Sequence, residues 1–232
     1  MSRVVRAFAL LAFSASALFA QAQPKSFAVI TRLGASTPER AASLNSGGLI
    51  GLDAEYSFNK WLGVGTSVEV MRNNTHREDF LTRLRYGNSS TGGGDSVYYQ
   101  YIGQAISTIN VGAYGLLRLP SEKISPFLMA GVGNYTMIAD AQVNGKTARQ
   151  NDLSLSFGGG IWFKLGERVG VQLDGRAVQY HGFDREFLNP ARGRREQNTP
   201  LSEDFPKPPA ETNTPMSTTI TLGFRYVPGG GN

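Results

Sequence analysis

Cysteine is missing from all 232 residues. Its absence excludes disulfide scaffolds, thiolate metal sites, cysteine nucleophiles and cysteine-linked lipid anchors. Histidine is nearly as scarce: His76 and His181 are the only two, too few to build a histidine-rich metal centre. Long apolar runs are also lacking. After residue 22 each one is broken within a few positions by glycine, asparagine or charge, well short of the roughly 18 residues a membrane-spanning helix needs. If this chain enters a membrane, it must do so as a closed sheet, the other structure that satisfies its own backbone in lipid.

Glycine, by contrast, is abundant at 28 residues, and the formal net charge is +5. The length suits one domain or two. The first 22 residues read as an export leader: Arg3 and Arg6 form a basic start, 7–19 an apolar core too short to span a bilayer, and Ala20 and Ala22 an A-x-A cleavage site. This divides the chain into a leader, 1–22, and a mature domain, 23–232. Cleavage removes two of the positive charges, and export makes nucleic acid an unsuitable partner.

The mature chain alternates with period two almost throughout. Eight stretches carry the pattern, at about 25–36, 47–58, 61–73, 96–119, 126–140, 152–165, 168–183 and 216–227. Most are ten residues or longer, as a tilted bilayer crossing requires. Short connections at 59–61, 120–125 and 166–168 alternate with long ones at 37–46, 74–95, 141–151 and 184–215. That sorting puts all tight turns at one end and all long loops at the other, as in outer-membrane barrels.

Face assignment gives one apolar and one polar side. Leu52, Ala54, Tyr56 and Phe58 oppose Asp53, Glu55 and Ser57; Val169, Val171, Leu173 and Ala177 oppose Gln172, Asp174 and Arg176. In 126–140 both faces are apolar or glycine, so no side is assigned. Periodicity alone cannot separate a membrane barrel from a soluble exported barrel with an apolar ligand, since the two differ only in which face is inward. The leader, the sorted loops and the aromatics at strand ends favour the membrane. The expected fold is all-β, an eight-stranded antiparallel transmembrane up-and-down barrel. Its polar lumen face would then carry Arg32, Asp53, Glu55, Glu69, Arg118, Lys164, Asp174, Arg176 and Arg225. In so narrow a barrel these charges must pair, as a structural filling or as a gated ion path.

Two segments carry a family resemblance. "ISPFLMAGVGNY" (124–135) is similar to the Pro-aromatic-x-x-Ala-Gly-x-Gly stretch of the fifth strand in eight-stranded outer-membrane barrels. "TLGFRY" (221–226) resembles their C-terminal assembly signal, with Thr221, Gly223, Phe224 and Tyr226 at the matching positions. The chain thus resembles the eight-stranded outer-membrane β-barrel superfamily, with its OmpA-like and OmpX-like barrel domains (porin family), over 25–227, although six residues follow the terminal aromatic. The resemblance implies the outer membrane of a Gram-negative-type bacterium, contact with outer-membrane lipid and lipopolysaccharide, handling by the barrel assembly machinery, and a monomer without cofactors. It implies a structural or surface-interaction role; the alternative is a small porin-like or gated channel. No peptidoglycan-binding domain follows the barrel, so cell-wall tethering is not expected.

Catalysis finds little support. His76 has Asp79 near it, and His181 has Tyr180 and Asp184, but neither has a positioned nucleophile or second acid. In the loops, "THRE" (75–78) fits a capping box, and the residues after it fit either a short amphipathic helix with Phe80, Leu81 and Leu84 on one side or an irregular loop. The 184–215 loop is rich in proline and holds Arg192, Arg194 and Arg195, a composition that predicts extended coil. Those arginines suit lipopolysaccharide phosphates or, equally, a solvated loop tip.

Overall fold

A computed structural model describes residues 26–88, 93–139, 147–190 and 208–228, and the side chains of all of these except 83–88 and 93–98. The leader, the arginines at 192, 194 and 195, and the last four residues lie outside these segments. Ten strands form: β1 (Ser26–Pro38), β2 (Gly47–Ser57), β3 (Leu62–Asn74), β4 (Leu81–Asn88), β5 (Gly93–Tyr101), β6 (Ala105–Arg118), β7 (Ile124–Ala139), β8 (Ala148–Lys164), β9 (Val169–Tyr180) and β10 (Met216–Tyr226). Eight of them close into an antiparallel barrel in the order β1-β10-β9-β8-β7-β6-β3-β2, while β4 and β5 make a separate two-stranded sheet. The expected up-and-down barrel is therefore the fold.

Closure depends on the terminal strands. Val29 pairs with Tyr226 and Leu33 with Leu222 along the β1–β10 seam, so the two strands at the chain's ends leave no unpaired edge, which lipid would not tolerate. Ile220, Leu222, Phe224 and Tyr226 of β10 are exposed on the outer surface, as are Leu33, Leu52, Leu128 and Phe157. The alternate residues of the same strands face the inside and are mostly buried, except in β8, where most are half-buried. A soluble protein rarely presents so continuous an apolar exterior; a bilayer solvates it.

Two readings of the loop region change. The stretch 96–119 is not one strand but the end of β5 and the whole of β6, separated at 102–104. Phe80 closes a short 3₁₀ turn (Arg77–Asp79) and the chain then enters β4, so the amphipathic helix does not form. The physical reason lies in Thr75. Its hydroxyl accepts from the Gln104 backbone N–H at 2.9 Å instead of capping a helix, and His76 starts the turn with no side-chain cap.

The interior has two storeys. Nearer the tight turns it is charged, with Leu116, Phe127 and Met129 packed around Tyr114 as a small apolar patch beside the charges. Nearer the loops it is apolar, built from Leu49, Met71, Ile106, Tyr135, Met137, Val178 and Tyr180 of the barrel wall. Loop residues Leu44, Phe80, Phe183, Phe187 and Leu188 press onto that wall from the mouth. Phe187 and Leu188 come from a 3₁₀ turn (Arg185–Leu188) whose start is capped by Asp184 accepting from the Glu186 N–H at 2.9 Å. The expectation of coil for 184–215 thus gives way to an anchored turn at its beginning.

Candidate functional site

The charged storey gathers side chains from β1, β2, β3, β6, β9 and β10 because each sits at an inward position of its strand. Register brings them to similar heights: Ile30 pairs with Asp53, Gly51 with Glu69, and Thr221 with Asp174. Arg32 Nη2 donates to Asp53 Oδ1 at 2.8 Å and to Glu69 Oε1 at 2.6 Å. Its Nη1 stands 3.9 Å from Asp174 Oδ1, within ion-pair range but beyond a hydrogen bond. Arg176 reaches the same three carboxylates: Asp53 at 2.8 Å, Glu69 at 3.2 Å and Asp174 at 3.0 Å. Two guanidiniums and three carboxylates therefore form one cluster with a formal charge of −1, supported by Gln172 donating to Asp174 at 3.2 Å and Asn110 to Glu69 at 3.4 Å.

A second cluster lies closer to the turns. Glu55 is held by Arg118 Nη2 at 2.5 Å and by Arg225 Nη1, and Arg118 also donates to Ser57 Oγ at 2.6 Å. Two guanidiniums and one carboxylate leave it at +1. Trp162 lies against this pair, with the Arg225 guanidinium 4.9 Å and the Arg118 guanidinium 6.0 Å from its ring, within cation–π range. Tyr114 joins the clusters. Its hydroxyl lies 3.1 Å from Glu55 Oε1 and 3.3 Å from Asp53 Oδ2, and the Arg176 guanidinium sits 5.5 Å from its ring. The opposite charges of the two clusters cancel across this tyrosine, so the storey as a whole is neutral.

Tyr114 fits there because Gly65 faces it. A Cβ at Gly65 would meet the Tyr114 ring at 2.4 Å, so only glycine leaves room for the ring against β3. Eight of the nine lumen residues expected from sequence are thus brought into contact. Lys164 is the exception: it is the last residue of β8, exposed at the turn end, and it forms no ion pair among the described residues. Its position is inward by alternation, but the strand has already left the lumen at that height.

The assembly-signal positions divide by face. Thr221 is buried inside, whereas Phe224 and Tyr226 are exposed to the outside near the turn end; Gly223 pairs with Arg32 across the seam. Among the described residues the histidines do not converge with a nucleophile. His76 Nδ1 lies 4.0 Å from Glu78 Oε2, and the His181 backbone N–H donates to Leu153 O at 2.9 Å. Among the described residues no group of three or more His, Asp or Glu is placed to hold a metal.

At the mouth, loops are tied to one another. Arg40 grips Asp79 with both nitrogens, Nη2 at 2.6 Å from Oδ1. Partial burial raises the Asp79 carboxyl, but the hydrogen bonds and charge of Arg40 outweigh it and hold the group below the usual carboxylate range. The hydrogen bond to Asp79 correspondingly raises Arg40.

A family description matches this barrel. The model of the outer membrane protein beta-barrel domain covers residues 7–226. The chain belongs to that family.

As an outer-membrane barrel it is similar in fold to several solved structures. Neisserial surface protein A (NspA) is 12% identical with a TM-score of 0.48, over 88% of this chain and 97% of that one. The N-terminal β-barrel domain of Pseudomonas aeruginosa OprF is 8% identical with a TM-score of 0.44, over 87% and 99%. Ail, the attachment invasion locus protein of Yersinia pestis, solved with the heparin analogue sucrose octasulfate, is 13% identical with a TM-score of 0.43, over 87% and 97%. Identities and TM-scores this low carry no property of those proteins over to this chain. No curated protein matches the chain in sequence.

Sequence reasoning missed the apolar storey. Leu49 and Met71 occupy the same faces as Asp53 and Glu69, so a strictly polar lumen was the natural reading. A signal was nonetheless present: the inward charges of β2 and β3 all lie on the turn side of Gly51 and Val70, and none lies on the loop side.

Proposed function

We propose that this outer-membrane protein acts as a sealed barrel that carries an interaction platform on its external loops, and that the platform contacts lipopolysaccharide or partner molecules. The observation that supports it most is the doubly closed interior. A solute coming from the loop side meets Phe80, Phe183, Phe187 and Leu188 packed on Tyr135 and Tyr180. One coming from the turn side meets Arg118, Glu55 and Arg225 locked around Trp162. An eight-stranded barrel has little room beyond its own side chains. With the lumen filled, the external loops are what remains to meet other molecules.

The remaining parts of this reading are supported unequally. Export by a cleaved leader rests on residues 1–22, and docking of lipopolysaccharide phosphates on Arg192, Arg194 and Arg195. Recognition by the assembly machinery rests on the outward pair Phe224 and Tyr226 beside the seam. We take the protein as a monomer without catalytic chemistry.

A gated channel is the second reading, and one feature favours it. Arg32 and Arg176 share all three carboxylates of one cluster, so their pairings can exchange without leaving a charge alone. Planar-bilayer recording of the refolded protein separates the two readings: the sealed barrel gives no unitary steps, and the channel gives them.

A further inference from the structure

The loop end contains a polar groove of about 720 Å³ that neither interior storey uses. It lies between the end of β3, the 3₁₀ turn after it, and the segment joining β5 to β6. Asn74, Arg77, Glu78, Gln100, Tyr101 and Gln104 are among its lining residues. Its volume is in the range of small-ligand sites, roughly 300–1,000 Å³.

The walls are fixed before any ligand arrives. Gln104 N–H donates to Thr75 Oγ1 at 2.9 Å, and Gln104 Nε2 donates to Leu188 O at 2.6 Å. The His76 N–H donates to Ser43 O at 2.8 Å, and the Arg40–Asp79 pair staples the same turn to the first loop. Gly103 lets the chain close up: a Cβ there would stand 3.2 Å from both Arg77 Cβ and Thr75 Oγ1. A preformed groove loses less ordering entropy on binding.

The chemistry of the lining selects the ligand. Side-chain amides offer a donor and an acceptor on one planar group, and Asn74 and Gln100 are exposed to use both. Arg77 adds a donor fork and makes no ion pair among the described residues; Glu78 adds an acceptor whose ion-pair contact there is His76 at 4.0 Å. These two charges cancel, so the groove has no sign with which to select a phosphate or a metal ion. Paired donors and acceptors match the vicinal hydroxyls of a sugar ring, and an aromatic such as Tyr101 can pack on its C–H surface.

We propose that this groove binds a saccharide through its uncharged, polyhydroxylated rings. The inference rests on the external-loop reading above and names its ligand class. The sugar could come from the lipopolysaccharide core of the same membrane or from a glycan on another surface.

The test uses the full chain refolded in detergent micelles, with heat-modifiable migration as the check of folding. Saturation-transfer NMR is recorded with deacylated lipopolysaccharide core oligosaccharide and, separately, with a neutral glucan hexasaccharide. Binding of either probe supports the site. The core alone points to the protein's own membrane, and the glucan points to a foreign surface. Tyr101→Ala and Gln100→Ala should each weaken binding, Tyr101→Ala by about tenfold as for a lost anchoring contact, and Asn74→Trp should abolish it by filling the groove. Raising salt from ~50 to ~500 mM should change affinity less than about twofold, since screening acts on charge–charge attraction. No binding of either probe, binding that all three variants leave intact, or binding that salt abolishes would overturn the proposal. Failure here leaves the sealed-barrel reading standing, because that reading is judged by conductance.

Discussion

Replacing Glu55 with glutamine keeps the shape of the side chain and removes one charge from the turn-side cluster. Arg118 and Arg225 then face each other with no carboxylate between them, and the single amide oxygen left must serve either Tyr114 or the arginines. Removing one partner of a buried ion pair costs about 3–5 kcal/mol. The two arginines do not share that cost equally. The Arg118 side chain keeps 11% of its exposure and a 2.6 Å bond to Ser57, so it can rehydrate. Arg225 keeps only 3% and must be the main source of the loss. We therefore expect Glu55→Gln to destabilise the barrel by about 3 kcal/mol, toward the lower end of that range. The assay is reversible urea unfolding in lipid vesicles, followed by tryptophan emission and heat-modifiable migration. The double variant Glu55→Gln/Arg225→Gln removes the orphaned charge and should recover part of the loss, as coupled sites do. A loss below about 1 kcal/mol, or strict additivity in the double variant, would refute a structural ionic core. Lys164→Gln is the matched control and should shift stability by less than about 0.5 kcal/mol, as an exposed, unpaired charge does.

Truncating the apolar storey should cost as much without opening the lumen. Leu49→Ala should lose about 2–5 kcal/mol by cavity formation, and bilayer recording should still find no conductance because the ionic storey persists. Gly65→Ala should lose about 1–3 kcal/mol by overpacking, since the added Cβ strikes the Tyr114 ring; unfolding midpoints check it, and unchanged stability would mean that the ring moves freely. The Arg40–Asp79 staple sets a pH dependence. Asp79 titrates lower in the folded protein, so its contribution is full above the ordinary carboxylate value near 3.9 and fades as pH falls below it. Amide exchange at 76–80, corrected for intrinsic rates, should be slow at pH 5 and faster at pH 3, and Asp79→Asn should remove the difference.

Much of the barrel was legible because a strand's side-chain period is two and its lipid face is selected by burial against hydrocarbon. The alternations in 47–58 and 168–183 named the inward residues of β2 and β9 correctly, and the sorted connections named the two ends. Depth along the lumen was not legible, because alternation reports which face a residue occupies and not what lies opposite it. Leu49, Met71, Ile106, Tyr135 and Val178 form one cluster only after five strands have been brought into register. Nor did periodicity reveal where β5 ends and β6 begins, since the alternation runs on through 102–104 while the chain leaves the small sheet and enters the barrel. Lys164 shows the converse failure, a correct face at a height outside the lumen. The groove beside β3 joins residues 45, 74–78, 100–101 and 103–105, which no local pattern connects.

Single-channel recording in a planar bilayer tests the central claim most directly. The refolded protein, checked by heat-modifiable migration, should insert and yet show no unitary steps in either polarity, and Glu55→Gln should lower its unfolding midpoint without producing any. Discrete steps from the native barrel, or steps that appear in Glu55→Gln with stability unchanged, would contradict a sealed interior.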